Sequence, residues 1–362
     1  MNSLFKENFI LFIFLLILNT ISLFNMYNAP LISANFINHF SKQLIWFIIG
    51  YILLFITYKI NLKNLLKHAF TLYSISIILL VVVLLVGRDI NGAKCWLNIF
   101  GLSIQPSEIV KITLILCLIK IYQNSKLTTY KKQFIFIIKC LIITIIPSIL
   151  VYLEPDTGSI INYLLILITI LILANLKKIY YIITTILIFI SIITFLIMIT
   201  FYEDIVISIF GDSIIYRLER IFNFQSGYQI ENALITIGAS SFYGVGLNDI
   251  LLYIPEAPTD FIFAFSCGNY GIISGILIII SYLVINIFIL IKSRNLNILA
   301  KMFIYAYLSI LIFTQIYNIG MNLGLLPIMG IPLPFLSYGG SSTIINYIYL
   351  GLTLNLLHKK KF

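Results

Sequence analysis

Long apolar runs, each about 18 to 24 residues, recur along the whole chain and are separated by short polar stretches. They fall at 8–25, 43–60, 68–86, 105–123, 134–152, 159–176, 179–202, 272–292, 302–325 and 339–357. At about 1.5 Å per residue, each is long enough to cross roughly 30 Å of hydrocarbon as a helix. The pattern predicts an all-α polytopic membrane protein with ten transmembrane helices. One large connection, about 203–258, separates the seventh helix from the eighth, and residues 1–362 form one integral-membrane domain. A signal peptide is the rival reading of the first run. NMYNAP follows it instead of a clean small-residue cleavage site, and further spans come after, so it reads as a retained helix. No strong internal repeat is visible, which counts against a secondary transporter.

Composition agrees with this picture. Hydrophobic residues make up 61% of the 362 and charged residues only 10%, with a mean hydropathy of +1.07, outside the range of water-soluble domains. The net charge of +10 is explained by lysine-rich connections and does not call for nucleic acid. Lys63 and Lys67, then Lys126, Lys131 and Lys132, then Lys177 and Lys178, then Lys292, Arg294 and Lys301, then Lys359 to Lys361 fall on alternate turns. The positive-inside rule puts those turns and both termini in the cytoplasm. Of the acidic residues, all but Glu7 and Glu108 then lie extracytoplasmic or at that rim, and Glu108 sits near the outer end of its helix. Cytosolic nucleotides are poor substrates for such a layout. Four cysteines without paired spacing and three scattered histidines leave little material for a disulfide framework, zinc site or histidine-based triad.

Five stretches could carry chemistry. Asp260 stands directly before the apolar run Phe261–Phe265, and an ionised carboxylate at the rim of hydrocarbon is expensive enough to suggest a function; the alternative is a helix N-cap. Glu108 and Lys111, three apart, share a helix face and either line a polar cavity or neutralise each other in lipid. Asp156 in LEPDTGS either caps a helix or joins the site. Arg217 and Arg220, in the large connection with the pair Tyr228 and Gln229, could clamp a phosphate or pair with Glu219 and Glu231. Finally, Pro327, Pro332 and Pro334 interrupt the stretch 318–342, which therefore reads as irregular backbone buried by protein or lining a cavity. Gly339, Gly340, Ser341 and Ser342 then open the last helix with a small face suited to close packing.

Taken together, QPSEIVK, EPDTG, the YQ pair with TIGASSFYGVGL, PTDFIFA, and NIGMNLGLLPIMGIPLPFLSYGGSS resemble the shape, elongation, division and sporulation (SEDS) family of peptidoglycan polymerases. The likeness runs from Lys42 to the last helix, in the same order. GIPLPFLSYGG and the short N-terminus look most like the rod-shape branch, RodA, whereas Glu256 and Ala257 resemble the division branch, FtsW; cell elongation is the favoured role. The resemblance implies glycosyl transfer from lipid II onto a growing glycan strand, with Asp260 as the catalytic carboxylate. Glu108, Lys111, Lys94, Arg217, Arg220 and Gln229 would bind substrate or pyrophosphate, while Asp156, Pro334, Ser337, Gly339 and Gly340 would shape the cavity. One carboxylate suffices as general base because the leaving group is already a pyrophosphate. Positive charge or a divalent cation, Mg2+ or Mn2+, would steady that group, and no organic cofactor or bound structural metal is implied. The implied setting is the bacterial cytoplasmic membrane, with the site extracytoplasmic and a class B penicillin-binding protein and the elongation machinery as partners. A flippase for the same lipid and a non-catalytic scaffold are the rival functions. The family pattern is broken at Pro258, which replaces a histidine, at Gly268 and Asn269, where acidic residues are usual, and at Cys95, beside which Lys94 could substitute for an arginine.

Overall fold

A computed structural model of the chain describes residues 6–90, 93–99, 102–184, 186 and 227–358. Helices dominate: α1 (Phe9–Asn28), α2 (His39–Lys59), the short α3 (Leu62–Lys67), α4 (Ala69–Val86), α5 (Pro106–Gln123), α6 (Tyr130–Leu153), α7 (Thr157–Leu173), α8 (Tyr228–Ala239), α9 (Ile262–Ser293), α10 (Ile298–Asn322) and α11 (Gly340–His358). Nine of the ten expected spans coincide with a helix among the described residues, and the run at 179–202 lies mostly outside them. Among the described residues six helices, α1, α2, α4, α6, α9 and α10, are long and apolar enough to cross a membrane. Side-chain caps set several boundaries: Thr129 accepts from Lys132 N before α6, Asp156 from Ser159 N before α7, and Asn297 from Ala300 N before α10.

Lipid-type and protein-type faces separate by helix. Ile45, Ile48, Ile52 and Ile56 of α2, and Ile138, Ile142, Ile145 and Ile149 of α6, are exposed stripes. On α5, by contrast, Leu114 to Ile119 are all buried, so this helix runs through the middle of the bundle. The tightest pairing, α2 against α11, depends on three glycines. A Cβ at Gly50 would meet the Tyr347 ring at 2.6 Å, one at Gly340 the Trp46 indole at 2.5 Å, and one at Gly351 the Leu54 carbonyl at 2.5 Å. Gly340 thus has the packing role expected of the small-residue face. A polar seam along α1 was not expected. Asn19, Ser22, Asn25 and Asn28, spaced three apart and buried, bond to Tyr347 Oη, Leu336 O, Ser266 Oγ and Gly246 O.

Two features depart from the all-α expectation. Between α4 and α5 stands a three-stranded antiparallel sheet, β1 (Arg88–Ile90), β2 (Ala93–Ile99) and β3 (Leu102–Ile104), in the order β1-β2-β3. Its signals were present in the sequence: Asn91-Gly92, a pair favoured in two-residue hairpins, precedes alternating apolar and polar residues. The second departure is in α9, which starts ten residues before the apolar run at 272–292. Tyr270 and Gly271 (φ +74°) break its helical geometry. The carbonyls of Gly268 and Asn269 are left open and accept Val245 N at 3.2 Å and Gly246 N at 2.7 Å, while Ile272 N donates to Ser241 O. The connection from α8 is therefore stapled onto the kink, and the helical segment 262–269 before it is buried on all sides.

Candidate active site

Three consecutive carbonyls ahead of α9 are each held by a donor from the last third of the chain. Pro258 O accepts Tyr338 N at 2.9 Å and Thr259 O accepts the Ser337 hydroxyl at 2.6 Å. Asp260 O accepts the side-chain amides of Asn318, at 2.8 Å, and Asn322, at 3.1 Å. Asn318 and Asn322, four apart on α10, share one helix face. Asn322 Oδ1 also accepts Ala264 N at 3.0 Å in the first turn of α9, and Asn318 Nδ2 reaches Ile331 O at 2.8 Å. The Asp260 backbone is thus fixed, whereas its half-buried carboxylate has no hydrogen-bond donor among the described residues. The helix-cap reading of Asp260 fails, because the N-cap of α9 is Phe261 and no side chain caps it. Burial, with repulsion from Glu256 second, lifts the Asp260 carboxyl from 3.8 to about 7.

Beside it lies a narrow polar cavity of about 60 Å³, walled by α5, α7, α10, α11 and the proline-rich segment. Gly330, Ile331, Pro332 and Pro334 line it. A Cβ on Gly330 (φ +63°) would stand 3.7 Å from Asp260 Oδ2, so the carboxylate lies close to one of the residues that line the cavity. Across the cavity Lys111 Nζ pairs with Glu108 Oε1 at 2.6 Å, both side chains nearly buried. The pair both lines the cavity and cancels its own charge, so the two readings of its spacing hold together. Asp156 is likewise both cap and wall: its oxygens accept from Ser159 N and Oγ, Gln105 Nε2 and Ser107 Oγ. Asn162 Oδ1, also on the wall, is buried without a partner among the described residues.

The other expected residues are distributed unevenly. Pro334 lines the cavity and its carbonyl accepts the Tyr282 hydroxyl at 2.7 Å. Ser337 belongs to the clamp on Thr259, and Gly339 N donates to Gln43 Oε1 at 3.4 Å. Lys94 and Gln229 are not brought to the cavity. Alternation along β2 turns Cys95 into protein and Lys94 outward, and Gln229 is half-buried on α8. Arg217 and Arg220 lie outside the described residues. Among the described residues no three acidic, histidine or cysteine side chains converge on a metal position. The breaks in the family pattern are absorbed by packing. Pro258 and Asn269 are buried within the contacts above, a Cβ on Gly268 would collide with Thr236 Cγ2 at 2.5 Å, and Cys95 is buried. Sequence reasoning passed over Asn318, Asn322, Gln105, Ser107 and Asn162. The one legible sign was the i, i+4 asparagine pair in NIGMN.

Against the cavity's outer wall runs a separate, almost wholly apolar groove of about 370 Å³, lined by Ile60, Leu65, Leu72, Ile109, Ile112 and Ile348 among others. Glu108 faces the polar cavity while Ile109 faces the groove, and Ser342 and Ser341 divide in the same way. Polar cavity and apolar groove are therefore neighbours across α5 and the start of α11.

Comparison with known proteins places this geometry. The family description for the cell cycle proteins FtsW, RodA and SpoVE matches residues 8–362. The probable peptidoglycan glycosyltransferase FtsW of Hydrogenovibrio crunogenus is 31% identical over 329 residues, 85% of this chain and 79% of that protein. Its counterpart in Coxiella burnetii is 30% identical over 339 residues, 89% and 87% of the two chains. A chain in a peptidoglycan synthase complex described as coordinating polymerization and crosslinking superposes with a TM-score of 0.75 at 21% identity, over 97% of each chain. Thermus thermophilus RodA does so with 0.67 at 20%, again over 97% of each. At those identities the likeness is one of fold. These relatives by sequence carry the name FtsW, so the expected leaning toward the rod-shape branch is not supported.

Proposed function

The chain belongs to the family of the cell cycle proteins FtsW, RodA and SpoVE, and from that premise we propose that it builds glycan strands from lipid II with Asp260 as general base. It is a multi-pass membrane protein and a glycosyltransferase of peptidoglycan synthesis. One observation carries the assignment of the base: a carboxylate fixed through its backbone, free at its oxygens among the described residues, and lifted to about 7 beside a lining residue of the polar cavity. In the reaction, Asp260 takes the proton of the acceptor 4-hydroxyl as that oxygen bonds the donor's anomeric carbon. The bond from that carbon to the pyrophosphate oxygen breaks, and its electron pair leaves with the polyprenyl pyrophosphate. A base with this pKa is half ionised near neutrality, where proton-transfer efficiency is greatest.

At about 60 Å³ the cavity admits water but no sugar ring, so the saccharide is met at its mouth, where Asp260 lies. The apolar groove next door suits the polyprenyl tail. The neutralised Glu108–Lys111 pair and Asp156 suit hydroxyl and amide groups better than free anionic charge. Stabilisation of the pyrophosphate falls to cations elsewhere, for which Arg217 and Arg220 are the candidates; a divalent cation, where one is bound, would supply the same positive charge. We place the activity in division, as the names of the relatives suggest, with the termini cytoplasmic and the site at the outer face of the bacterial inner membrane. Glu7 and His358, 3.1 Å apart, put both chain ends on one side, in keeping with that topology. A crosslinking transpeptidase, a class B penicillin-binding protein, is the partner that the coupled synthase complex suggests. The test is incubation of the purified full-length protein, alone and with that partner, with lipid II. Glycan product lost in Asp260→Ala, with lipid II binding retained, is the expected result; transfer of lipid II across vesicles without polymer from the wild type would instead identify a flippase.

A further inference from the structure

Glu256, four residues before the base, is a hub that the reaction above leaves unused. Its carbonyl accepts three backbone N–H groups, those of Thr259 at 3.1 Å, Asp260 at 3.1 Å and Phe261 at 3.2 Å, and also the Thr259 hydroxyl at 3.1 Å. The same hydroxyl lies 3.0 Å from Glu256 Oε2, which ties the glutamate side chain back onto the turn that carries Asp260. Glu256 does this at φ +55°, in the left-handed region that a glutamate enters only at a cost in backbone strain. Such strain, where the surroundings enforce it, gathers at functional positions.

We infer that Glu256 is the positioning residue for Asp260: its carbonyl fixes the turn from which the base projects, and its carboxylate keeps a second negative charge beside that base. The surrounding elements do not counter this charge. From α10 the turn is faced by Asn318 and Asn322, and from the proline-rich segment by Ser337 and Tyr338, all neutral near pH 7. The cavity charges Glu108, Lys111 and Asp156 are each held by their own partners, and Asp249 of the same connection is exposed. Among the described residues no cation pairs with either Glu256 or Asp260. The repulsion is consistent with the direction in which Asp260 titrates. Added to the larger effect of burial, this repulsion helps hold Asp260 as a base strong enough to take a hydroxyl proton, where an isolated carboxylate would ionise near 4 and accept protons weakly.

The inference rests on reading Asp260 as the base, and infrared titration of the full-length protein in lipid separates the two. The band of protonated Asp260, identified by its loss in Asp260→Asn, is followed with pH. The wild type is expected to have a midpoint near 7, Glu256→Gln a midpoint lower by about one pH unit, and Glu256→Asp, which keeps the charge, one close to the wild type. Should Glu256→Gln fold poorly, Glu256→Gly removes the same charge and adopts φ +55° without strain. In polymerisation assays the acidic limb of kcat should move to lower pH with the same variants, with KM little changed. An unmoved midpoint in both Gln and Gly variants overturns the inference. A moved midpoint in a protein that makes no polymer leaves the pairing standing and overturns the proposed reaction instead.

Discussion

Asp260 and Asp156 stand near the same cavity and are held in opposite ways. Asp156 accepts four hydrogen bonds at its oxygens, from Gln105, Ser107 and Ser159, and Glu108 is matched by Lys111 at 2.6 Å. Asp260 receives its donors at the backbone carbonyl, from Asn318 and Asn322, and its oxygens stay open. A carboxylate saturated with donors has its lone pairs already engaged. One steadied only through its main chain keeps its lone pairs for a substrate. The contrast teaches that location at a cavity does not by itself mark a reacting group; the distribution of donors does.

The comparison can be broken most forcefully at Asp260. Asp260→Asn preserves shape and the carbonyl clamp but removes the base, and is expected to lower the polymerisation rate by about 10³-fold or more, within the range attributed to positioned acid–base groups and their orientation. Thermal stability should be unchanged or raised, since a half-buried carboxylate with no donor is lost. Next in size is the saturated side. Lys111→Ala strands Glu108 as an unpaired buried charge and should destabilise the fold by roughly 3–5 kcal/mol, seen as a lower unfolding midpoint, with partial recovery when Glu108→Gln is added. The clamp comes third. Asn318→Ala with Asn322→Ala frees the Asp260 carbonyl, and a displacement of about 1 Å at the base should cost roughly 10²-fold in kcat with substrate binding retained.

The smallest effect concerns Glu154, which closes α6 fully buried with both oxygens unpartnered among the described residues. Burial, then Asp156, raises it from 4.5 to about 8. Because the folded state holds this proton more tightly than the unfolded one, its contribution to stability is full below about pH 4.5 and is lost as the pH rises through about 8. The wild-type melting temperature should therefore decline between pH 5 and 9. Glu154→Gln, which keeps the shape without the charge, should flatten that decline and stabilise by on the order of 2 kcal/mol at pH 7.

Much of this was legible in the sequence. Apolar runs of membrane length announce helices because the hydrocarbon admits almost nothing else, and Asp260, Glu108, Lys111 and Asp156 stood out as charges where charge is costly. The small sheet at 88–104 was passed over because it lies in a polar connection too short to compete with the helical signal. The apolar run at 272–292 begins ten residues after α9 does because 262–269, though apolar, is covered by protein instead of lipid, and a kink at Gly271 separates it from the span proper. The Asn318–Asn322 clamp was hidden for a different reason. An asparagine amide that bonds a distant main-chain carbonyl leaves no partner residue to recognise, and only the folded chain brings residues 258–260 against 318–338. Lys94 is suggested by its neighbours in sequence, and the pleat of β2 turns it outward, away from the cavity.

The most direct test of the account is the rate of glycan polymerisation from lipid II as a function of pH, measured side by side for the wild type and Asp260→Asn. The wild type should rise through a midpoint near pH 7, the value to which burial and Glu256 bring the carboxyl, while the asparagine variant stays flat at the floor. A wild-type rate that ignores pH between 5 and 9, or an asparagine variant that keeps a tenth of the activity, would contradict the assignment of Asp260 as the base.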